Sequence, residues 1–144
     1  MSKEFVHLIE DIFSLRTAII VKSNGGSMQP TIPRDAVVKL EPIDIQQIRV
    51  GDIVVYEADS TRTVMHRVFR KFRRKGTGFV QTWGDNVAVP DAPVPTRSVK
   101  ARVEAYNADG EWVQLPPVSS LAQLSVMLRY VIVRLKLKTG FMNA

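Results

Sequence analysis

The chain has 144 residues, of which 45% are hydrophobic and 24% charged, a balance typical of one globular domain with a buried core. It contains no cysteine, which excludes disulfides and thiolate metal sites. The net charge of +6 indicates an anionic neighbour, either a membrane surface or a nucleic acid. We therefore predict a single domain over 1–144, with its core at about 17–115.

The first predicted element is an amphipathic helix over 3–15, where apolar residues recur at helical spacing. Glu10 and Asp11 interrupt this stretch, and a secretory signal peptide does not carry acids in its apolar region. Short runs rich in β-branched residues follow and predict strands. These strands lie at 17–22, 36–40, 53–57, 63–73, 79–83, 99–105 and 111–115. The predicted fold class is therefore mainly β, with antiparallel strands and a helix at each end.

The second flanking helix is predicted over 119–138, a segment that is apolar nearly all round. Its cations are Arg129, Arg134, Lys136 and Lys138. Because Arg129 lies inside the segment, a packing helix or a basic helix on a membrane surface fits better than a membrane-spanning helix. Together with the lack of a signal peptide, this predicts a cytoplasmic or peripherally membrane-associated protein.

Four sequence blocks carry the candidate chemistry. The first, Gly25-Gly26-Ser27-Met28-Gln29-Pro30-Thr31, places a serine on a glycine-flanked turn, where a nucleophile would be exposed and held still. The others are Arg49-Val50-Gly51-Asp52-Ile53-Val54-Val55-Tyr56, Met65-His66-Arg67-Val68, and Gly84-Asp85-Asn86 followed by Pro90-Asp91. A serine nucleophile needs a base within hydrogen-bonding distance. Of the two histidines, His66 in its apolar strand is the candidate, whereas His7 in the N-terminal helix is predicted to be structural.

In this order the blocks resemble the serine peptidases of the signal peptidase I class, over about Ser23 to Val103. Histidine at the base position is similar to the archaeal and endoplasmic-reticulum enzymes, whereas most bacterial enzymes and the LexA-type repressors have lysine there. The resemblance implies a signal peptidase/LexA-like antiparallel β core. It also implies a serine endopeptidase that cleaves a peptide or protein precursor through an acyl-enzyme, with no metal and no organic cofactor.

The resemblance implies a role for each catalytic residue. Ser27 would attack the substrate and His66 would take and return the proton. In the family, the acid of the triad follows the Gly-Asp-Asn block at a spacing that corresponds to Asp91, with Asp85 in support. Spacing alone favours Asp91, so the choice between the two acids stays open.

The residues around Ser27 are the candidate substrate contacts, namely Gly25, Gly26 and Met28. The backbone amide of Ser27 is one candidate donor to the oxyanion of acyl transfer. Many family members supply the second donor from a serine hydroxyl at the position of Gly25. Another group must serve here, and its identity stays open.

Other functions remain as alternatives. A LexA-type self-cleaving regulator fits less well, because its base would be lysine and the chain has no Ala-Gly dipeptide. A non-catalytic peptide-binding module is a second alternative. A third is a nucleic-acid- or membrane-binding protein that uses the basic hairpin at 67–75, although a solvated hairpin tip is the simpler interpretation. Contact with an anionic membrane is therefore open, nucleic acid is disfavoured, and the oligomeric state is unknown.

Overall fold

The computed structural model describes residues 11–12, 18–116, 128–129 and 131–132. Within 18–116 the chain forms one eight-stranded antiparallel sheet. The strands are β1 (Ile19–Lys22), β2 (Val37–Pro42), β3 (Ile53–Glu57), β4 (Thr63–Arg74), β5 (Thr77–Trp83), β6 (Val94–Pro95), β7 (Val99–Ala108) and β8 (Glu111–Gln114), with a 3₁₀ turn at Thr96–Ser98. The mainly β, antiparallel fold predicted from the sequence is confirmed.

The sheet runs in the order β1-β2-β7-β3-β4-β5-β6, and β8 also pairs with β7. β7 is long enough to pair with β2 along one edge and with both β3 and β8 along the other. Register shifts interrupt three of these pairings, including β4 with β5 between Val68 and Arg70. Since bulges bend a strand and increase its twist, they curl the sheet.

β3 lies between two hydrophobic clusters, because its successive side chains point to opposite faces. Ile53 and Val55 belong to one cluster, and Val54 and Tyr56 to the other. The first cluster also contains Met28, Ile32, Ala36, Val38, Leu40, Ala101 and Val103. The second also contains Ile48, Val68, Val80 and Val99. A strand buried on both faces makes a rigid neighbour for β4, which carries His66.

The hairpin between β4 and β5 is closed by two residues, Lys75 and Gly76, with φ angles of +47° and +78°. Two successive positive φ angles are the signature of the tight turn that matches strand twist. Of the cations on the predicted basic hairpin, five are exposed, namely Arg70, Lys71, Arg73, Arg74 and Lys75. The sixth, Arg67, is partly buried in an ion pair with Asp85. Phe72 stacks on Phe79 across the hairpin, with ring centroids 5.5 Å apart.

The two predicted flanking helices lie mostly outside the described residues. Within them, 11–12, 128–129 and 131–132 are described and are helical. In the described part of the chain, we find no helix with the length and hydrophobicity needed to cross a membrane. The prediction of a single domain over 1–144 stays a prediction.

Candidate active site

Ser27 lies on the turn that follows β1. Gly25 has a φ of +101°, in the left-handed region that favours glycine. Asp35 holds this glycine from both sides: its carboxylate Oδ1 accepts a hydrogen bond from the Gly25 amide at 2.7 Å, and its own amide donates to the Gly25 carbonyl at 3.2 Å. The backbone in front of the serine is therefore fixed by hydrogen bonds as well as by its conformation.

The loop at 84–86 is bonded directly to the serine turn. The Asn86 amide donates to the Ser27 carbonyl at 2.8 Å, and its side chain Nδ2 donates to the Gly26 carbonyl at 3.2 Å. Further along the segment that carries Ser27, the Thr31 hydroxyl donates to the Asp85 carboxylate at 2.6 Å. These bonds connect two segments that lie more than fifty positions apart in the sequence.

His66 lies on β4 opposite Val54 of β3, and only 8% of its surface is exposed. Its Nδ1 is 2.6 Å from Oδ2 of Asp91. Because a carboxylate only accepts hydrogen bonds, Nδ1 carries the proton, and in the neutral ring Nε2 is then the basic nitrogen. The structure therefore gives His66 the tautomer that a general base requires.

Gly84 lies between His66 and the serine turn. A Cβ atom at this position would lie 2.8 Å from His66 Nε2 and 2.8 Å from the Ser27 carbonyl oxygen. The basic nitrogen and the serine backbone are therefore neighbours across this glycine, which leaves room for both only because it has no side chain.

Asp91 is held by more than the histidine. Its Oδ2 also accepts a hydrogen bond from the Thr82 hydroxyl at 2.8 Å, while its amide donates to the Thr82 carbonyl at 2.9 Å. Burial alone would raise the pKa of Asp91, but the hydrogen bonds from His66 and Thr82 outweigh it and lower the pKa below its ordinary value. The carboxylate is therefore ionised at neutral pH and can stabilise an imidazolium.

Asp85, the other candidate acid, points to different partners. Its two oxygens accept hydrogen bonds from Nε and one terminal nitrogen of Arg67, at 3.0 and 2.7 Å. Burial opposes ionisation of Asp85, yet the bonds from Arg67 and Thr31 lower its pKa. Arg67 also donates to the Gly51 carbonyl at 2.9 Å. The structure places Asp91 against His66, and Asp85 in an ion pair that anchors the loop at 84–86.

A cavity of about 260 Å³ opens beside Ser27 and His66. Its walls come from the end of β1 with the turn that follows it, and from the start of β4. The first wall contains Val21, Lys22, Ser23, Asn24, Gly25 and Met28, and the second contains Arg62, Thr63, Val64 and Met65. Among the described residues, no hydrogen bond joins the Ser27 hydroxyl to His66. Such bonds are often long or unformed before a substrate binds.

The three predicted substrate contacts differ in where they lie. Gly25 and Met28 line the cavity, although Met28 is only 2% exposed and also belongs to a core cluster. Gly26 does not line it; its carbonyl accepts hydrogen bonds from the Gln29 amide and from Asn86. His7, the other histidine of the chain, lies outside the described residues.

Sequence reasoning missed two hydroxyl residues behind Asp91. Thr82 on β5 and Tyr56 on β3 are both buried, and their side-chain oxygens lie 2.9 Å apart. Strand alternation places both positions in the core, where a polar side chain needs a partner. The only indication in the sequence is that Thr82 lies in a predicted strand just before the Gly84 block.

Arg129, which the sequence predicts only as part of a packing helix or a helix on a membrane surface, contacts the loop that carries Gly84 and Val87. Its guanidinium lies over the Trp83 ring, 4.3 Å from the centroid, and donates to the Gly84 and Val87 carbonyls at 3.2 Å each. Thus a residue near the end of the chain holds the loop that contacts both His66 and Ser27.

No group of three or more His, Asp or Glu side chains in the described ranges is arranged to hold a metal ion. The proposed chemistry uses hydroxyl, imidazole and carboxylate groups alone. That the protein needs no metal or cofactor stays a prediction.

No protein-family model matches the chain. Among curated proteins, the chain is 44% identical over 73 residues to the signal peptidase complex catalytic subunit SEC11 of Candida dubliniensis, covering 50% of this chain and 43% of that protein. It is 38% identical over 96 residues to SEC11 of Lodderomyces elongisporus, covering 66% and 54%. It is 28% identical over 85 residues to signal peptidase I W of Bacillus subtilis, covering 58% and 45%.

The chain spans about half the length of the curated relatives it matches. The predicted resemblance to signal peptidase I is confirmed, since the eukaryotic catalytic subunits and a bacterial signal peptidase both match. The relatives named SEC11 are catalytic subunits of a complex, so those proteins act together with partner subunits.

The cytoplasmic or peripherally membrane-associated location predicted from the sequence is wrong. It rested on the acids in the first apolar stretch and on the charge of the segment 119–138. The matching relatives are named as subunits of the signal peptidase complex, which conflicts with a cytoplasmic protein. Relationship to subunits of such a complex outweighs an argument from charge.

Proposed function

We propose that this protein is a serine endopeptidase of the signal peptidase I type, which cleaves a peptide or protein precursor through an acyl-enzyme. One observation carries the proposal: His66 is bonded to Asp91 through Nδ1 and turns Nε2 towards the serine turn, in a chain related to signal peptidase catalytic subunits. A hydrogen-bonded histidine–aspartate pair beside a serine turn and a cavity is the arrangement that acyl transfer needs.

In the proposed mechanism, the Ser27 hydroxyl attacks the scissile carbonyl while His66 Nε2 takes its proton. Asp91 stabilises the imidazolium that forms. The tetrahedral intermediate collapses to an ester on Ser27, and His66 returns the proton to the departing amine. Water, activated by the same histidine, then hydrolyses the ester and frees the serine.

The oxyanion of each tetrahedral intermediate needs donors that point at it before the reaction begins. The Ser27 amide is the proposed first donor, because the turn around Gly25 fixes its direction. The second donor must replace the serine hydroxyl that many family members carry at the position of Gly25.

The cavity is the proposed substrate cleft. Two segments, 21–25 and 62–66, form its walls, and its lining includes Met28, Val38 and Val55. A cleft of about 260 Å³ is small for a ligand pocket and would favour short side chains at the position bound beside these three residues.

The test is covalent labelling of the folded protein with a serine-reactive phosphonate, with the adduct located by mass spectrometry. We expect labelling of Ser27 in the wild type and none in Ser27→Ala or His66→Ala. Ser60→Ala is the matched control, because Ser60 lies in an exposed loop away from the cavity, and it should label like the wild type. A folded wild-type protein that forms no adduct contradicts the proposal.

Contact with anionic lipid is a finer part of the same proposal. It is supported by the five exposed cations at the tip of the β4–β5 hairpin. Vesicles that contain phosphatidylserine should retain the protein at low salt and release it at high salt, whereas neutral vesicles should not retain it. Stronger binding to single-stranded nucleic acid than to these vesicles would favour the nucleic-acid alternative instead.

A further inference from the structure

Two hydroxyl groups, those of Tyr56 and Thr82, form a chain that ends on the carboxylate of Asp91. The Thr82 oxygen lies 2.8 Å from Oδ2 of Asp91 and 2.9 Å from the hydroxyl of Tyr56. Tyr56 is 1% exposed and Thr82 is completely buried. Water therefore has little access to the bond between the two hydroxyls, whereas the Asp91 side chain is 25% exposed.

The directions of these bonds follow from proton counting. A threonine hydroxyl has one proton, and a carboxylate oxygen can only accept. Thr82 must therefore donate to Asp91, so Tyr56 must donate to Thr82. Burial raises the pKa of Tyr56 far above its ordinary value, which keeps this donor protonated.

The chain connects the elements that build the site. Tyr56 belongs to β3, Thr82 to β5, and His66 to β4 between them. Thr82 also accepts the Asp91 amide at its carbonyl, and the neighbouring Gln81 donates its side-chain nitrogen to the Asp91 carbonyl at 2.8 Å. The loop that carries Asp91 is thus held to β5 through both backbone and side chains.

We propose that Thr82 and Tyr56 are positioning residues: the donor chain from Tyr56 through Thr82 fixes the Asp91 carboxylate and, through it, the ring of His66. This proposal rests on the function proposed above, in which Asp91 orients the base. A carboxylate held at Oδ2 by both Thr82 and His66 cannot rotate without breaking one of these hydrogen bonds. Loss of the threonine hydroxyl would let the carboxylate turn and the ring follow it.

The variants Thr82→Val and Thr82→Ser separate the hydroxyl from the shape of the side chain. Valine keeps the volume and removes the donor, and serine keeps the donor. We expect kcat to fall about tenfold in Thr82→Val with KM little changed, and Thr82→Ser to retain most of the wild-type value. Tyr56→Phe, which removes the hydroxyl that donates to Thr82, should have a smaller effect in the same direction.

Nuclear magnetic resonance of the His66 ring provides a readout that needs no substrate. The Nδ1 proton should give a downfield signal that exchanges slowly with water, assigned with His7→Gln, which removes the other histidine. Exchange should quicken in Thr82→Val and recover in Thr82→Ser. Thr96→Val is the matched control, because it removes a hydroxyl that bonds to the Gly78 carbonyl far from Asp91, and it should change nothing.

The two measurements distinguish failure of this proposal from failure of the proposed function. If the protein cleaves or labels but Thr82→Val leaves kcat and the His66 signal unchanged, the positioning role is wrong and the peptidase function stands. If the wild type neither labels nor cleaves but the His66 signal responds as expected, the function is wrong and the positioning role stands. Should Thr82→Val fail to fold, Thr82→Ser and Tyr56→Phe decide by the same two measurements.

Discussion

Asp85 and Asp91 lie in the same loop between β5 and β6, but their partners differ in kind. Asp91 accepts hydrogen bonds from His66, a group that can gain and lose a proton, and from the neutral hydroxyl of Thr82. Asp85 faces guanidinium groups, Arg67 at 2.7 Å and Arg129 at 3.7 Å. Both carboxylates have lowered pKa values, so the direction of the shift does not distinguish them.

The hydrogen-bond partner of such a carboxylate, rather than its perturbed pKa, therefore indicates what the carboxylate does. A permanent cation holds Asp85 in one charge state and one place, as a structural ion pair requires. An imidazole leaves Asp91 able to respond when a proton arrives on the ring. The comparison therefore supports the proposal that Asp85 anchors the loop and that Asp91 orients His66, and each role can be tested by its own substitution.

The largest expected effect is that of Asp91→Asn on catalysis. An asparagine can donate its amide to Nδ1 of His66, which favours the tautomer with the proton on Nε2, where no proton can be taken from Ser27. We expect kcat to fall roughly 10⁴-fold while the protein stays folded. The measurement is the rate of phosphonate labelling and of peptide cleavage, with circular dichroism as the check on folding. A large loss in Asp85→Asn beside normal activity in Asp91→Asn would exchange the two roles.

The second effect is that of Asp85→Asn on stability. The substitution leaves the Arg67 guanidinium in a largely buried site without a charged acceptor on this side, and it weakens the bond to Thr31. We expect the free energy of unfolding to fall by about 3 kcal/mol, measured by urea denaturation. Asp59→Asn is the matched control, because its pair with Arg62 at 3.3 Å is exposed and should matter much less. Equal losses in both variants would contradict an anchoring role for Asp85.

Most of the fold could be predicted from local sequence. Runs of β-branched residues located the strands to within a few positions, and the pair Lys75-Gly76 closes the hairpin between the predicted strands 63–73 and 79–83. The insertion of β7 between β2 and β3 could not be predicted, because it depends on which edges meet in space. The two-residue strand β6, which pairs with β5, is too short to leave a pattern.

The site was predictable only where a motif marks it. His66 and Asp91 were paired from family spacing, and in the structure they are in contact, while their catalytic roles stay predictions. Tyr56 and Thr82 look like ordinary strand residues in the sequence, because their importance lies in a contact between β3 and β5. Arg129 was missed for the same reason, since its partner Trp83 lies more than forty positions away.

A smaller effect is expected for Arg129→Met, which removes the contacts of Arg129 with the loop that carries Asp85 and Asp91. The guanidinium packs on Trp83 and bonds to two carbonyls of this loop, so its loss should cost about 1 kcal/mol and slow the labelling of Ser27 roughly fivefold. Trp83 fluorescence in a Trp112→Phe background reports the contact directly, because the chain has only these two tryptophans. Arg97→Met, at an exposed position, is the control. Unchanged fluorescence and labelling in Arg129→Met would show that the contact supports neither the loop nor the site.

The last expected effect is the dependence of stability on pH, which separates the charge of the two aspartates from their shape. Both aspartates have folded-state pKa values below the ordinary value of 3.8, so the unfolded chain binds protons more readily than the folded one as the pH falls. Their contribution to stability is therefore complete well above pH 3.8 and is lost as the pH falls through the folded-state pKa values. We expect the free energy of unfolding to stay level from neutral pH to about pH 5 and to decline below about pH 4.

In Asp85→Asn the decline should be shallower, because one of the two carboxylates is gone. The difference in the free energy of unfolding between this variant and the wild type should therefore narrow as the solution becomes more acidic. A gap that stays constant down to pH 3 would mean that Asp85 stabilises the loop through its shape and neutral hydrogen bonds rather than through its charge.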